Sequence, residues 1–254
     1  MAPPKKPASR SANKPLAGLL FGLCGLLSLL LCGQAMAQAG AVANLSGPLS
    51  AKKDDGSVRV LALNSTVHSG DTLYTEKDTY ARVKFADGGE ITLRPDSQFK
   101  IENFAHSAEK PDEGNAFFRL LKGGLRAVSG LIGKGSNQDR YRMSTATATI
   151  GIRGTHFGLL FCQDDCAGIK TASGKTPENG LHVDVAEGAV VVSTQAGSAQ
   201  VAAGQNALVR SANTLPQPVA PENSVKVQII QSVMSDKSKP GGVGQNNDPE
   251  CVVQ

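Results

Sequence analysis

The chain contains no tryptophan, and aromatic residues fill only 4% of its 254 positions. A core must then be drawn from Val, Ile, Leu and Ala, and aromatic platforms for stacking sugar rings are not expected. Acidic residues are absent from positions 1–37, where Lys5, Lys6, Arg10 and Lys14 lie. Those four cations account for the whole formal charge of +4. The rest of the chain is balanced, so a nucleic-acid or anionic-membrane footprint is not expected on it.

Catalytic signatures are also missing. Gly130-Leu-Ile-Gly133-Lys134-Gly135-Ser136 imitates a phosphate-binding loop, but Val128 stands where the first glycine belongs and Gly135 where the hydroxyl belongs. Ser50-Ala-Lys-Lys53 spells S-x-x-K without the companion Lys-Thr-Gly. There is no G-x-S-x-G, and none of His68, His106, His156 or His182 stands at ligand spacing from a cysteine pair. No enzyme, no cofactor and no metal site is expected.

What the N-terminus does hold is a pattern. The four cations precede an uncharged run from Leu16 to Cys32 and then Ala35-Met36-Ala37. A basic region, an apolar stretch and small residues at −3 and −1 make a secretory signal, with cleavage expected after Ala37. An uncleaved anchor is the alternative, and would be the only membrane contact expected. The expected location is the periplasm or outside the cell. Export permits disulfides, and Cys162-Gln-Asp-Asp-Cys166 is a short loop that can close on itself. Cys251 is then an odd thiol.

From Val42 to Val209 the chain alternates between short apolar-patterned runs and glycine turns. Ala81, Val83 and Phe85 alternate with Arg82 and Lys84, and Ile91 and Leu93 with Thr92 and Arg94. Asp87-Gly88-Gly89 between them predicts a hairpin. Phe117–Leu121 and Leu125 flank a glycine corner at Gly123-Gly124, and Gly133–Arg140 reads as a loop. The central stretch, Thr145–Phe157, places Ala146, Ala148, Ile150 and Ile152 on one parity and threonines on the other, predicting a strand from Thr145. Gly151, Gly154 and Gly188 are candidate structural turn positions. The expected fold is all-β: a single domain of short strands over about 41–211, in a β-solenoid-like roll or a sandwich. Positions 212–254, rich in Pro and Gly, read as a largely disordered tail, within which Val225–Met234 has the pattern of one short helix or strand.

Arg153 lies between two predicted strands, where a guanidinium can clamp an anionic partner or brace the corner. His156 beside it is the second candidate binding residue.

Several pieces together resemble the FecR domain family of periplasmic proteins. These are Gly70-Asp71-Thr72-Leu73, Ala81–Phe85 with Asp87-Gly88-Gly89, and Leu120–Leu125. Thr149-Ile-Gly-Ile-Arg-Gly-Thr-His-Phe157 resembles the family's V-R-G-T-x-F, Val185-Ala-Glu-Gly-Ala-Val-Val191 its V-x-E-G-x-V-x-V, and Ala203-Gly204-Gln205 its A-G-Q. The resemblance implies an all-β, solenoid-like domain outside the cytoplasm. It also implies a link to cell-surface signalling, since the family's founding regulator engages a sigma factor through a cytoplasmic segment. Only Met1–Pro15 precedes the apolar stretch here, so a stand-alone exported domain is expected. The expected role is a non-enzymatic binding or scaffolding module for an envelope protein or polymer. The alternatives are a regulator of surface signalling or iron uptake working through a partner, and a carbohydrate or small-anion binder.

Overall fold

The computed structural model describes residue 1 and residues 38–227 other than 111, 112 and 136. The expected signal and the final part of the expected tail, residues 228–254, lie outside the described residues. The elements run β1 (Gln38–Leu45), β2 (Leu49–Lys52), β3 (Val58–Leu61), β4 (Thr66–His68), β5 (Thr72–Thr75), β6 (Ala81–Phe85), β7 (Glu90–Leu93) and β8 (Gln98–Ala105). They continue with β9 (Asn115–Val128), a short helix α1 (Leu131–Lys134), β10 (Tyr141–Ser144), β11 (Thr149–Cys162), β12 (Gly180–Thr194), β13 (Gly197–Ala202), β14 (Asn206–Val209) and β15 (Gln217–Pro218). The fold is all-β.

These strands form one open sheet whose main path is β15-β14-β12-β11-β10-β9-β7-β6-β1-β4. A branch through β8, β5, β2 and β3 leaves it at β9, and β13 leaves it at β12. Pairing is antiparallel everywhere except between β9 and β10. A solenoid stacks successive coils in parallel, and among the described residues that relation occurs only at the β9–β10 pair.

The three longest strands change partners along their length. The first half of β9 lies between β8 and β10, and its second half between β7 and β11. The change falls at Gly123, with φ +78, and Gly124. β9 is therefore one bent strand, where the sequence suggested two strands and a corner. β11 pairs first with β10 and then with β9, switching across Arg153–His156. β12 exchanges β14 for β13 across Ala186–Gly188. The corners of β11 and β12 coincide: a methyl on Gly188 would lie 2.6 Å from the carbonyl oxygen of Gly154. Both residues have positive φ, +58 at Gly154 and +75 at Gly188, where a side chain is strained. Ser129 seals the bend, its N–H donating to the Thr155 carbonyl at 3.0 Å and its Oγ accepting from Thr155 N–H at 2.9 Å.

Four sequence readings need correction. Thr145–Ala148 is a turn, not the start of a strand: Thr145 Oγ1 accepts from the N–H groups of Thr147 and Ala148, and Ala146 is exposed. A threonine hydroxyl that satisfies backbone donors locally competes with strand pairing, so β11 begins at Thr149. Gly151 is not a turn residue. It sits within β11 opposite Arg142 and Val191 without positive φ.

The presumed loop 133–140 holds the end of α1 and a 3-10 turn over Gln138–Arg140. Asp87, buried in the β6–β7 hairpin, steadies that helix by accepting from Ile132 N–H through its carboxylate and from Leu131 N–H through its carbonyl. Finally, the core is not purely aliphatic. Five aromatic rings are gathered in one place, with Phe118 at 5.0 Å from Phe85, 5.4 Å from Phe99, 6.4 Å from Phe104 and 5.6 Å from Tyr141.

Residues 212–227, read from sequence as part of the tail, are in place. β15 pairs with β14, and Val225 and Val227 are buried; Val225–Val227 belongs to neither helix nor strand.

Alanine substitution separates the two kinds of glycine. Gly188→Ala should lower unfolding free energy by about 2 kcal/mol or more. Gly151→Ala, whose new methyl meets nothing within 4 Å, should stay within about 0.5 kcal/mol. Urea midpoints at constant m-value report both.

Candidate functional site

The second halves of β9, β11 and β12 lie side by side, and register puts Arg126, Gly158 and Asp184 in one row across them. The next rows hold Gly124, Leu160 and His182 on one side, and Val128 and His156 on the other, with Glu187 paired to His156. Because Gly158 has no side chain, the long Arg126 can reach over it. Its Nη1 donates to Asp184 Oδ2 at 3.1 Å and to the carbonyl of Val227 at 3.0 Å, and its Nε donates to His156 Nε2 at 2.7 Å.

The remaining space above Gly158 is filled by Val227: a methyl on Gly158 would come within 2.6 Å of the valine Cβ. Val225, Val227, Leu160, Ile169, Cys162 and Cys166 form a second small core on this outer face. Cys162 and Cys166 are joined as a disulfide. Asp184 and His182, which alternation places on a polar face, are buried for this reason.

Burial and the neighbouring Arg126 charge hold the His156 imidazole below its ordinary pKa, against weaker opposing pulls from Glu187 and Asp184. The geometry agrees, since Nε2 must keep its lone pair to accept from Arg126. Burial also lowers the pKa of His182, and its ring Nε2 lies 2.8 Å from the Glu178 carbonyl. The row is thus an ion pair covered by a segment of the same chain. Among the described residues no three His, Cys, Asp or Glu side chains gather as metal ligands.

Arg153 lies elsewhere. It is exposed at the corner, opposite Ala189, and makes no hydrogen bond or ion pair with the described residues. Lys134, equally exposed and unpaired among them, packs near Gly154, its Cγ 3.8 Å from where a Gly154 methyl would stand. Of the two candidate binding residues, His156 is therefore held inside an internal network and Arg153 is presented outward. Arg126 and Asp184 escaped the sequence reading because each looks like an outward residue of an alternating strand. Gly158, between them only in register, offered no signal on its own.

Fold and site together define an all-β domain with an internally paired Arg126–Asp184 row and an exposed Arg153 at a bend. Residues 71–191 match the family model described as FecR protein. The match begins at Asp71 and takes in β5 through most of β12. Two crystal structures of a "putative anti-sigma factor" from Parabacteroides distasonis are similar at 13% identity and TM-score 0.41, over 61% of this chain. The chain spans 60% of the length of those structures. A cell surface anchoring domain aligns at 26% identity and TM-score 0.24, over 24% of this chain and 82% of its own. No curated protein matches the chain.

The lowered histidine pKa values set a pH dependence. Near and below the ordinary imidazole value of 6.5 the unfolded chain binds more protons at these rings than the folded one. Their stabilising effect is thus complete above that value and is lost as pH falls through the folded pKa. The urea midpoint should drop between pH 7.5 and pH 5, and His156→Gln with His182→Gln should flatten the drop.

Proposed function

We propose that this protein is a non-enzymatic, exported binding module of the cell envelope, serving a regulatory role of the FecR kind. Its mature chain begins at Gln38. It engages an acidic partner surface through the corner of β11 and β12, with Arg153 as the principal contact and Lys134 beside it. The observation that carries this reading is the exposed Arg153 within the matched segment, unpaired among the described residues. A guanidinium without an internal partner is free to form a bidentate pair with a carboxylate of another protein. The Arg126–His156–Asp184 network supports the same reading from the other side, because its polar groups are already satisfied by one another and by Val227.

The regulatory aspect rests on the FecR match, and a scaffolding role for an envelope protein or polymer is the second reading. In-cell crosslinking of the tagged protein, followed by mass spectrometry, tests both. Capture of a membrane-bound signalling partner supports the regulator, and capture of structural envelope proteins supports the scaffold. Arg153→Glu should abolish capture while leaving the far-UV spectrum and urea midpoint unchanged. Retained capture by Arg153→Glu would remove the corner from the account, and sequencing of the purified protein should begin at Gln38.

A further inference from the structure

β3 is a sheet edge. It pairs with β2 and with no other strand among the described residues. The bond from Lys53 N–H to the Ser57 carbonyl, 2.9 Å, sets the phase of that ladder. With Lys52 opposite Val58 and Ala51 opposite Arg59, the antiparallel alternation turns the N–H and C=O groups of Arg59 and Leu61 toward β2. Those of Val58 and Val60 point away from it. The same two residues hold their side chains in solvent, Val58 at 65% and Val60 at 81% exposure. Natural sheets usually blunt such an edge with charge, proline or a bulge.

β3 has no proline and one charge, and that charge is turned back into the chain. The Arg59 guanidinium bonds to the Asp71 carboxylate and to the Thr66 carbonyl at 2.8 Å, and lies 3.3 Å from His68 Nδ1. Asp71 is fully buried and also accepts from His68 N–H at 2.8 Å. What remains outward is two valines with free backbone groups, a pattern that complements itself.

We propose that β3 is a self-association edge, pairing antiparallel with β3 of a second copy about a two-fold axis at Arg59. Val58 of each copy then faces Val60 of the other, and each such pair exchanges both of its backbone hydrogen bonds. The apolar cross-strand pairs supply the side-chain contact. The two Arg59 residues come opposite one another, each already neutralised by its own Asp71. A second copy is the occupant because the two-fold arrangement meets every outward valine with a valine and every free N–H with a free C=O. β3 precedes the FecR-matched segment, so this inference stands apart from the proposed partner site at Arg153.

Sedimentation equilibrium on the purified protein carrying Cys251→Ser, which prevents disulfide-linked dimers, is the test. A reversible, concentration-dependent dimer is expected. Val60→Lys should raise its dissociation constant about tenfold or more, with an unchanged far-UV spectrum because the side chain is already in solvent. Val191→Lys, at a 39% exposed valine of β12, should leave the dimer as it was. Amide exchange supplies a second readout, in which the Val58 and Val60 N–H groups gain protection as concentration rises. A monomer throughout, a dimer indifferent to Val60→Lys, or an equal loss with Val191→Lys would overturn the proposal. So would protection of Val58 and Val60 independent of concentration, which would point to residues 228–254 of the same chain as the covering strand.

Discussion

The outer face of this domain depends on a side chain that is not there. Gly158 lies between Arg126 and Asp184 in the ladder, and the gap it leaves lets the guanidinium reach the carboxylate. The same gap takes Val227, so that one position unites three strands and the last described residue. Any larger residue at 158 would force a choice between the ion pair and the valine. A buried pair needs its remaining donors satisfied to be tolerated, and here the Val227 carbonyl and the His156 ring provide that. Burying each of Val225 and Val227 contributes roughly 2 kcal/mol, which offsets the ordering of a segment otherwise rich in proline.

This closure bears on function by elimination and by contrast. A polar row in the middle of a sheet resembles a ligand site until its partners are traced, and the Arg126 Nε and Nη1 donors then lead to groups of the same chain. The corner at Gly154 and Gly188 is the opposite case. Two glycines in left-handed conformations bring the β11 and β12 bends together, and Arg153, paired with Ala189 beside them, is exposed to solvent.

Much of the fold was legible because period-two alternation is a local signal. The hairpin at Asp87-Gly88-Gly89 and the inward set Ala81, Val83 and Phe85 can each be read from a few neighbours. The failures were also physical. Thr145 mimics a strand residue until its hydroxyl is seen to bond Thr147 and Ala148. Ala146 and Gly151 followed it into error. Asp184 and His182 read as solvent-facing because alternation reveals two faces but not whether something covers the second. That cover comes from Val225 and Val227, more than forty positions away in a stretch that reads as part of the tail. Arg126 was illegible for the same reason, its partners being neighbours only in register.

The account's central claim is that Val227 closes the face over Gly158, and Gly158→Ala tests it most directly. The added methyl would collide with the valine Cβ while leaving the strand able to pair. Limited trypsin digestion reads the result at Lys226, an exposed residue within the docked segment. The account predicts rapid cleavage after Lys226 in the variant and slow cleavage in the parent, with both retaining the same β-sheet spectrum. Equal, slow cleavage at Lys226 in both would contradict it.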